Sequence, residues 1–393
     1  MKIAYLNFPR YFFKRFLTFV FCFILLNKIC FAETVIIDGK TIINQPTTYQ
    51  NVTLDLSHGY FFVTNNATLK IENAEIKGII SPDNPYFLNV FDGDLTLENN
   101  IFDVHVKNIE SSPKKSPFYR TIHIRKGKLS MTGNYFTIDK PYTVALLMTE
   151  KIPTSGFIIK NNKVDNFHGG FMLSYTSNAL VSGNTLSHVS VTNLFTLKGH
   201  DNTFIDNTVL FSGNNNVGNG ADIIDSNNII FNNNFISFGS CYSMVVLRSQ
   251  DIFIDNNRII GGITHAIYIT SNISLYDAFH TPFMILAYED NNNAETYKNK
   301  NISITNNYFG QNRFGIAAIN VDHLYVKGNI FIQKFMNNSS RQFWTNTDNL
   351  FQDVINLDWE NNIYKEAFVQ NITENNINGL KYVLYPSRGG VIL

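Results

Sequence analysis

Lys198, Asp222, Arg248, His265 and Tyr268 fall in consecutive stretches of the sequence and together offer two cations, a carboxylate, an imidazole and a phenol. Proton abstraction beside a carboxylate needs such a set: a cation to neutralise the carboxylate and acidify its neighbouring proton, a base to take that proton, and a donor on the other face. In that scheme Arg248 and Lys198 neutralise, His265 is the base and Tyr268 the donor. Asp222, Asp225, His123, Arg125 and His280 would contact a bound substrate, and His123 with Arg125 forms a second candidate centre. Each residue also has a plainer reading, because charges are ordinary on a solvated sheet face and aspartates often do no more than cap turns. Convergence gives the set its weight.

What must bring them together is a repeat. The clearest copy is Ala179-Leu180-Val181-Ser182-Gly183-Asn184-Thr185-Leu186: apolar, any, apolar, two small or polar residues, Asn, any, apolar. The frame returns at Asn207, Asn234 and Asn257, in steps of 23, 27 and 23 residues. Further frames centre on Asn100, Asn134, Asn162, Asn307, Asn329 and, degraded, Asn362. A fixed period in the low twenties, built from alternating apolar residues, is the mark of a solenoid of short strands. Alternation points Val181 and Leu186 inward, and the Asn is expected at the bend, tolerating unusual backbone angles and stacking on the Asn of the next coil. Each frame is preceded by a second apolar segment, such as Leu194-Phe195-Thr196-Leu197. Two or three strands per coil predict an all-β, single-stranded, right-handed parallel β-helix of about ten coils; the helical half of a leucine-rich repeat is missing. The preceding segments should stack into one long sheet, whose outward positions read as His123, Arg125, Met172, Ser174, Thr196, Lys198, Asp222 and Tyr268.

The first 32 residues read as an export signal rather than structure. Lys2, Arg10, Lys14 and Arg15 form a basic start, Phe16 to Leu26 an apolar run, and Cys30-Phe31-Ala32 a small-residue cleavage site. That run of eleven residues is too short to span a bilayer, which needs roughly 20. An uncleaved anchor and a lipidated Cys30 are the rival readings. Removing the five basic residues of this segment from the chain's 31 leaves 26 against 31 acidic ones, a net charge of −5, which disfavours nucleic acid and anionic membranes. Cys22 and Cys30 leave with the signal, so Cys241 alone remains and neither a disulfide nor a cysteine zinc site can form within the mature chain. The expected location is periplasmic or secreted, as a monomer.

Residues 33–393 then form one elongated domain. Residues 33–81 are expected to cap the open end and supply the first coils, 272–301 to form an insertion loop carrying Asp277 and His280, and 365–393 to form a tail running back along the last coil. Insertions on a solenoid gather on one face, which is often the binding face.

The nine regular frames from Asn100 to Asn329, with their flanking aliphatics, resemble the right-handed parallel β-helix superfamily of the pectate lyases. Within it they are similar to the repeats of mannuronan C5-epimerases and of periplasmic carbohydrate-binding and sugar-hydrolase proteins. The resemblance covers about residues 69–364 and implies an acidic polysaccharide or other glycan as partner. It implies no site residue: the Asp-Pro-His-Asp motif of the epimerases is absent, Asp277-Ala278-Phe279-His280 being the nearest string, and the calcium aspartates of pectate lyases have no counterpart. No cofactor is called for, with calcium left open. Joined to the first scheme, the resemblance implies a lyase or C5-epimerase that removes the C5 proton of uronate residues. The alternative is a non-catalytic glycan-binding or surface-interaction solenoid. A hydrolase comes third, because it needs two carboxylates at a set separation and only Asp222 with Asp225 lies near.

Overall fold

The computed structural model describes residues 33–385 except 110–118, 141–143, 212–217, 238–241, 263, 272–297, 311, 313, 333–335, 339–340, 344–347, 366–373 and 378–379. The expected signal (residues 1–32), His280 and most of the 272–301 insertion lie outside the described residues. The rest coils as a parallel β-solenoid with three strands per turn, and the described residues contain no helix. One coil comprises Thr192–Leu197, Thr203–Ile205 and Thr208–Leu210; each pairs in parallel with its counterpart in the next coil, Asn219–Ile224, Asn227–Asn232 and Phe235–Ser237. Three ladders of strands therefore run the length of the molecule, each step about 4.8 Å.

The corners are set by asparagine. Asn100, Asn134, Asn162, Asn184, Asn207, Asn234, Asn257, Asn307, Asn329 and Asn362 stack in one column, ten rungs bounding nine turns, with all but Asn362 buried. The geometry repeats from coil to coil. Asn184 donates from Nδ2 to Oδ1 of Asn207 at 2.9 Å and to the carbonyl of Ile159 at 2.9 Å, while its backbone N–H reaches the same Asn207 oxygen at 3.1 Å. Each amide thus satisfies itself and a buried backbone N–H, which no apolar side chain could do. In the coil before Asn100 the position is held by Ala74, whose N–H still donates to Asn100 Oδ1 at 2.9 Å.

One detail differs from expectation. The left-handed backbone belongs to the residue before each ladder Asn: Asn99, Asn161, Asp206, Asn233, Asn256, Asn306 and Asn361 have φ of 51–58°, and Gly133, Gly183 and Gly328 take that place in other coils. Asn, Asp and Gly are the residues that enter this region at low cost. The ladder Asn itself is free of that duty, so its side chain can turn inward.

Inside the coil Val181 and Leu186 are fully buried, as the alternation requires, among stacked rings such as Phe102 on Phe136 and Phe309 on Phe331. The sheet made by the upstream strands departs from the sequence reading. Its outward column runs His123, Met148, Met172, Phe195, Asp222, Val245, Tyr268, Ala317, so Phe195 faces out and Thr196 faces in, aligned with Leu173, Ile223 and Val246. This outer face is also not solvated. Met148, Met172, Phe195, Leu197, Ile224, Val245, Leu247 and Tyr268 form a second buried apolar cluster, separate from the interior core. With apolar residues at both phases, alternation could not reveal which face was covered.

At the N-terminal end Thr34–Ile43 pairs in parallel with Thr53–Val63, so the coiling begins at the first described residues. The strand Asn299–Thr305 starts inside the stretch read as an insertion and resumes the ladder on Gln250–Asp255. Leu380–Tyr385 lies antiparallel to the Asn349–Gln352 segment.

Replacing Asn234 by Leu removes the acceptor of the Asn207 N–H and the donor to the Phe204 carbonyl. At about 1–3 kcal/mol for each orphaned buried group, thermal unfolding should shift clearly downward. A melting curve equal to that of the wild type would show that this amide faces water.

Candidate functional site

Where the strands of the outer sheet end, the chain turns through left-handed residues that stack from coil to coil. Tyr175, Lys198, Asp225 and Arg248 occupy successive rungs of this corner, with φ of 53, 50, 49 and 47°. Tyr175, Lys198 and Arg248 are not among the residues that enter this region at low cost, so their side chains keep their place against some backbone strain. Lys198 Nζ sits 5.3 Å from the centre of the Tyr175 ring, and Arg248 donates to Asp225 Oδ2 at 2.6 Å with its side chain only 4% exposed. The guanidinium expected to neutralise a substrate thus already faces a carboxylate.

The other members of the first set lie one column inward. Asp222 is buried and accepts from Asn219 Nδ2 at 2.7 Å. Tyr268 is buried, which raises its phenol above the ordinary value, and its ring stacks on Tyr242 at 4.8 Å. His265 is tilted against Tyr268 and stacks on both Tyr242 and Phe314, at 5.6 and 4.8 Å. Asp222, Tyr268 and Arg248 are therefore near one another in register, but their polar groups are engaged within the protein.

The second candidate is assembled differently. His123 lies in the outward column beside Asn89, whose Oδ1 is 3.2 Å from Nδ1, and the ring is covered by Tyr86, stacked at 5.6 Å and 14°. Glu150 follows the next strand, at the rung adjoining Arg125, and its carboxylate lies 3.0 Å from His123 Nε2 and 3.5 Å from Arg125 Nε. Despite that approach Nε2 makes no hydrogen bond. Arg120, at the start of the same strand, is desolvated and its Nε likewise has no hydrogen-bond partner. Two buried nitrogens, one on an imidazole and one on a guanidinium, are left open in a corner whose outer wall is Arg125 and Glu150, each 39% exposed. Orphaned buried nitrogens are costly, and a corner that keeps them is suited to an anionic or hydroxylated ligand.

Sequence reasoning named His123 and Arg125 but missed Arg120, Glu150, Tyr86 and Asn89. Alignment of the upstream strands by their stacking, rather than by the Asn frame, would have placed Asn89 beside His123 and Glu150 beside Arg125. Among the described residues no group of three or more His, Cys, Asp or Glu is placed to hold a metal, and no helix is long and apolar enough to cross a membrane.

Burial first, then the charges of Arg120 and Arg125, lower the His123 imidazole from 6.5 to about 3, and burial lowers His168 to about 4. Both rings stay neutral in the folded chain where the unfolded chain binds protons. The stability this allows is complete above pH 6.5 and is lost as the pH falls from 6.5 toward the folded values, at up to about 1.4 kcal/mol per pH unit for each ring. Urea unfolding between pH 7 and 4 should accordingly show a steeper loss in the wild type than in His123→Gln; parallel profiles would contradict the burial of a neutral ring. Separately, Asp225→Ala should destabilise by about 3–5 kcal/mol, the usual consequence of leaving one member of a buried ion pair alone, whereas an unchanged melting point would mean that Arg248 reaches water.

No known family model matches this sequence, and none of the curated proteins matches it in sequence. Solved structures do align with it. A periplasmic alginate epimerase, AlgG, superposes with a TM-score of 0.38 at 10% identity, covering 84% of this chain and 85% of that one. A PL6 alginate lyase in complex with a trisaccharide gives 0.32 at 12% identity, over 93% and 88% of the two chains. The Dettilon tailspike protein (gp208) gives 0.35 at 12% identity over 76% of this chain, which spans 58% of the tailspike's length.

Proposed function

We propose that this protein is an exported solenoid that binds an acidic polysaccharide at the His123 corner and removes the C5 proton of a uronate residue there. The observation that carries this is the pair of orphaned buried nitrogens, Arg120 Nε and His123 Nε2, set beside Glu150, Arg125 and Tyr86. A uronate carboxylate placed against Arg120 and Arg125 would be neutralised, which acidifies the C5 proton. The same carboxylate would cancel part of the positive field that, after burial, holds His123 down, and so raise its basicity when substrate is present. The C5–H bond then breaks, the proton passes to His123, and the electron pair spreads into the carboxylate. Expulsion of the O4 substituent from this intermediate gives a C4–C5 double bond; return of a proton to the opposite face gives the epimer. Tyr86, whose ring stacks on the imidazole, would supply the proton taken up by the departing O4 oxygen or by the opposite face of C5.

The original assignment to Arg248, His265 and Tyr268 stays as the competing placement of the same chemistry, although the Asp225 carboxylate already balances Arg248. A binding role without chemistry is favoured by one observation: the cations of the sheet corner are matched, Arg125 by Glu150 and Arg248 by Asp225.

The purified mature chain should be incubated with alginates, pectates and other uronans. Elimination raises ultraviolet absorbance, whereas epimerisation leaves absorbance flat and exchanges the C5 proton in deuterated water. His123→Ala and Arg120→Ala should each lower the rate by at least about 100-fold with the fold intact. If activity instead disappears in His265→Ala and Arg248→Ala while His123→Ala is active, the chemistry belongs to the other end of the sheet. Uronan affinity with neither signal and no release of reducing ends would establish the binding role.

A further inference from the structure

A second groove lies on a different sheet, at the C-terminal end of the ladder that follows the buried one. It has a volume of about 530 Å3 and is walled by Phe253 and Tyr325, floored by Ser303, and rimmed by His323, Asn356 and Asp358. The register explains the shape. Phe253, Ser303, Tyr325 and Asp358 are successive outward residues of four stacked strands, so a small side chain separates two rings on rungs two steps apart. That separation is about 10 Å along the stacking direction. Phe253 is 44% exposed, a large ring left in water on a strand whose alternate residues are fully buried.

The rim is ordered. His323 Nδ1 lies 2.7 Å from Asp322 Oδ1, and Asn356 Nδ2 lies 3.2 Å from His323 Nε2. The Asp358 carboxylate is exposed and makes no hydrogen bond or ion pair among the described residues. No Lys or Arg lines the groove, and Lys327, close to Tyr325, is engaged by Glu360 at 3.1 Å.

We infer that this groove is a binding site for a neutral saccharide, separate from the His123 corner and independent of the chemistry proposed there. A pyranose ring has apolar C–H faces and a hydroxylated edge, and the groove presents the matching pattern: aromatic rings as its two walls and amide, imidazole and carboxylate groups on the rim. An uncharged sugar fits because the lining offers an acidic acceptor and no cation; a uronan would be repelled by Asp358. A carboxylate also accepts paired hydroxyls well, since it brings several lone pairs to one point.

The test is calorimetric titration of the full mature chain with cellohexaose, xylohexaose and mannohexaose, with an alginate hexamer as the charged comparison. At least one neutral hexasaccharide should bind, and Phe253→Ala and Tyr325→Ala should each weaken that binding by about tenfold without moving the melting temperature. Asp358→Asn should weaken it less. His123→Ala should leave it unchanged, and Phe253→Ala should leave any uronan turnover unchanged, so failure of the groove and failure of the C5 chemistry are read separately. The inference is overturned if none of the neutral hexasaccharides binds, if the alginate hexamer competes for the same site with equal affinity, or if binding survives the Phe253→Ala/Tyr325→Ala double variant.

Discussion

The buried asparagine amide is the constraint from which the rest of this structure follows. A coil must turn sharply between strands, and a sharp turn leaves a backbone N–H facing the interior with no strand partner. One Asn per coil answers that need by offering Oδ1 to the N–H of the coil before and Nδ2 to a carbonyl of the coil before and to the next Asn. Because each amide is completed by its neighbour, the column is satisfied only as a stack. The rungs between Asn100 and Asn362 are therefore held in register over insertions as different as the 22 residues from Asn162 to Asn184 and the 50 from Asn257 to Asn307.

Fixed register has chemical consequences at the surface. Any position that recurs in the coil becomes a column with neighbours at about 4.8 Å, where like charges repel and opposite charges pair. The corner of the outer sheet shows this selection: Arg125 meets Glu150, Lys198 meets the Tyr175 ring, and Arg248 meets Asp225. Charge compensation within a column removes cations from the pool available to a ligand. The His123 corner escapes because Arg120, second in its strand, lies outside the recurring corner position, and Arg120 and His123, the latter covered by Tyr86, each keep a nitrogen without a hydrogen-bond partner. Irregularity in an otherwise periodic molecule is what leaves unspent binding capacity.

That distinction also accounts for what could be read in the sequence. Asn184, Val181 and Leu186 were placed correctly because the fold is built from a local, repeated pattern in which period and polarity say the same thing. The alternation reads Thr196 as outward, whereas in the structure Thr196 faces in and Phe195 faces out, because both faces of that sheet are apolar and alternation carries no phase where both sides are buried. Arg120 and Glu150 were invisible for another reason. They lie 30 residues apart in the chain, and only the stacking of Tyr119–Ile124 on Val144–Thr149 makes them neighbours of one imidazole. The Phe253 groove needed the same knowledge, since Ser303 opens a gap only when it is seen between Phe253 and Tyr325.

The central claim is that the asparagine column is a continuous, satisfied hydrogen-bond stack, and native-state hydrogen exchange of the ladder amides tests it most directly. The backbone N–H groups of Asn184, Asn207, Asn234 and Asn257 each donate to a side-chain oxygen in the next coil at 2.8–3.1 Å. They should exchange as slowly as the N–H groups in the middle of the strands, because both kinds are released only when neighbouring coils separate. Exchange of these four at the rate of exposed turns, with the strand amides still protected, would contradict the account by showing that the corners are held by something other than asparagine.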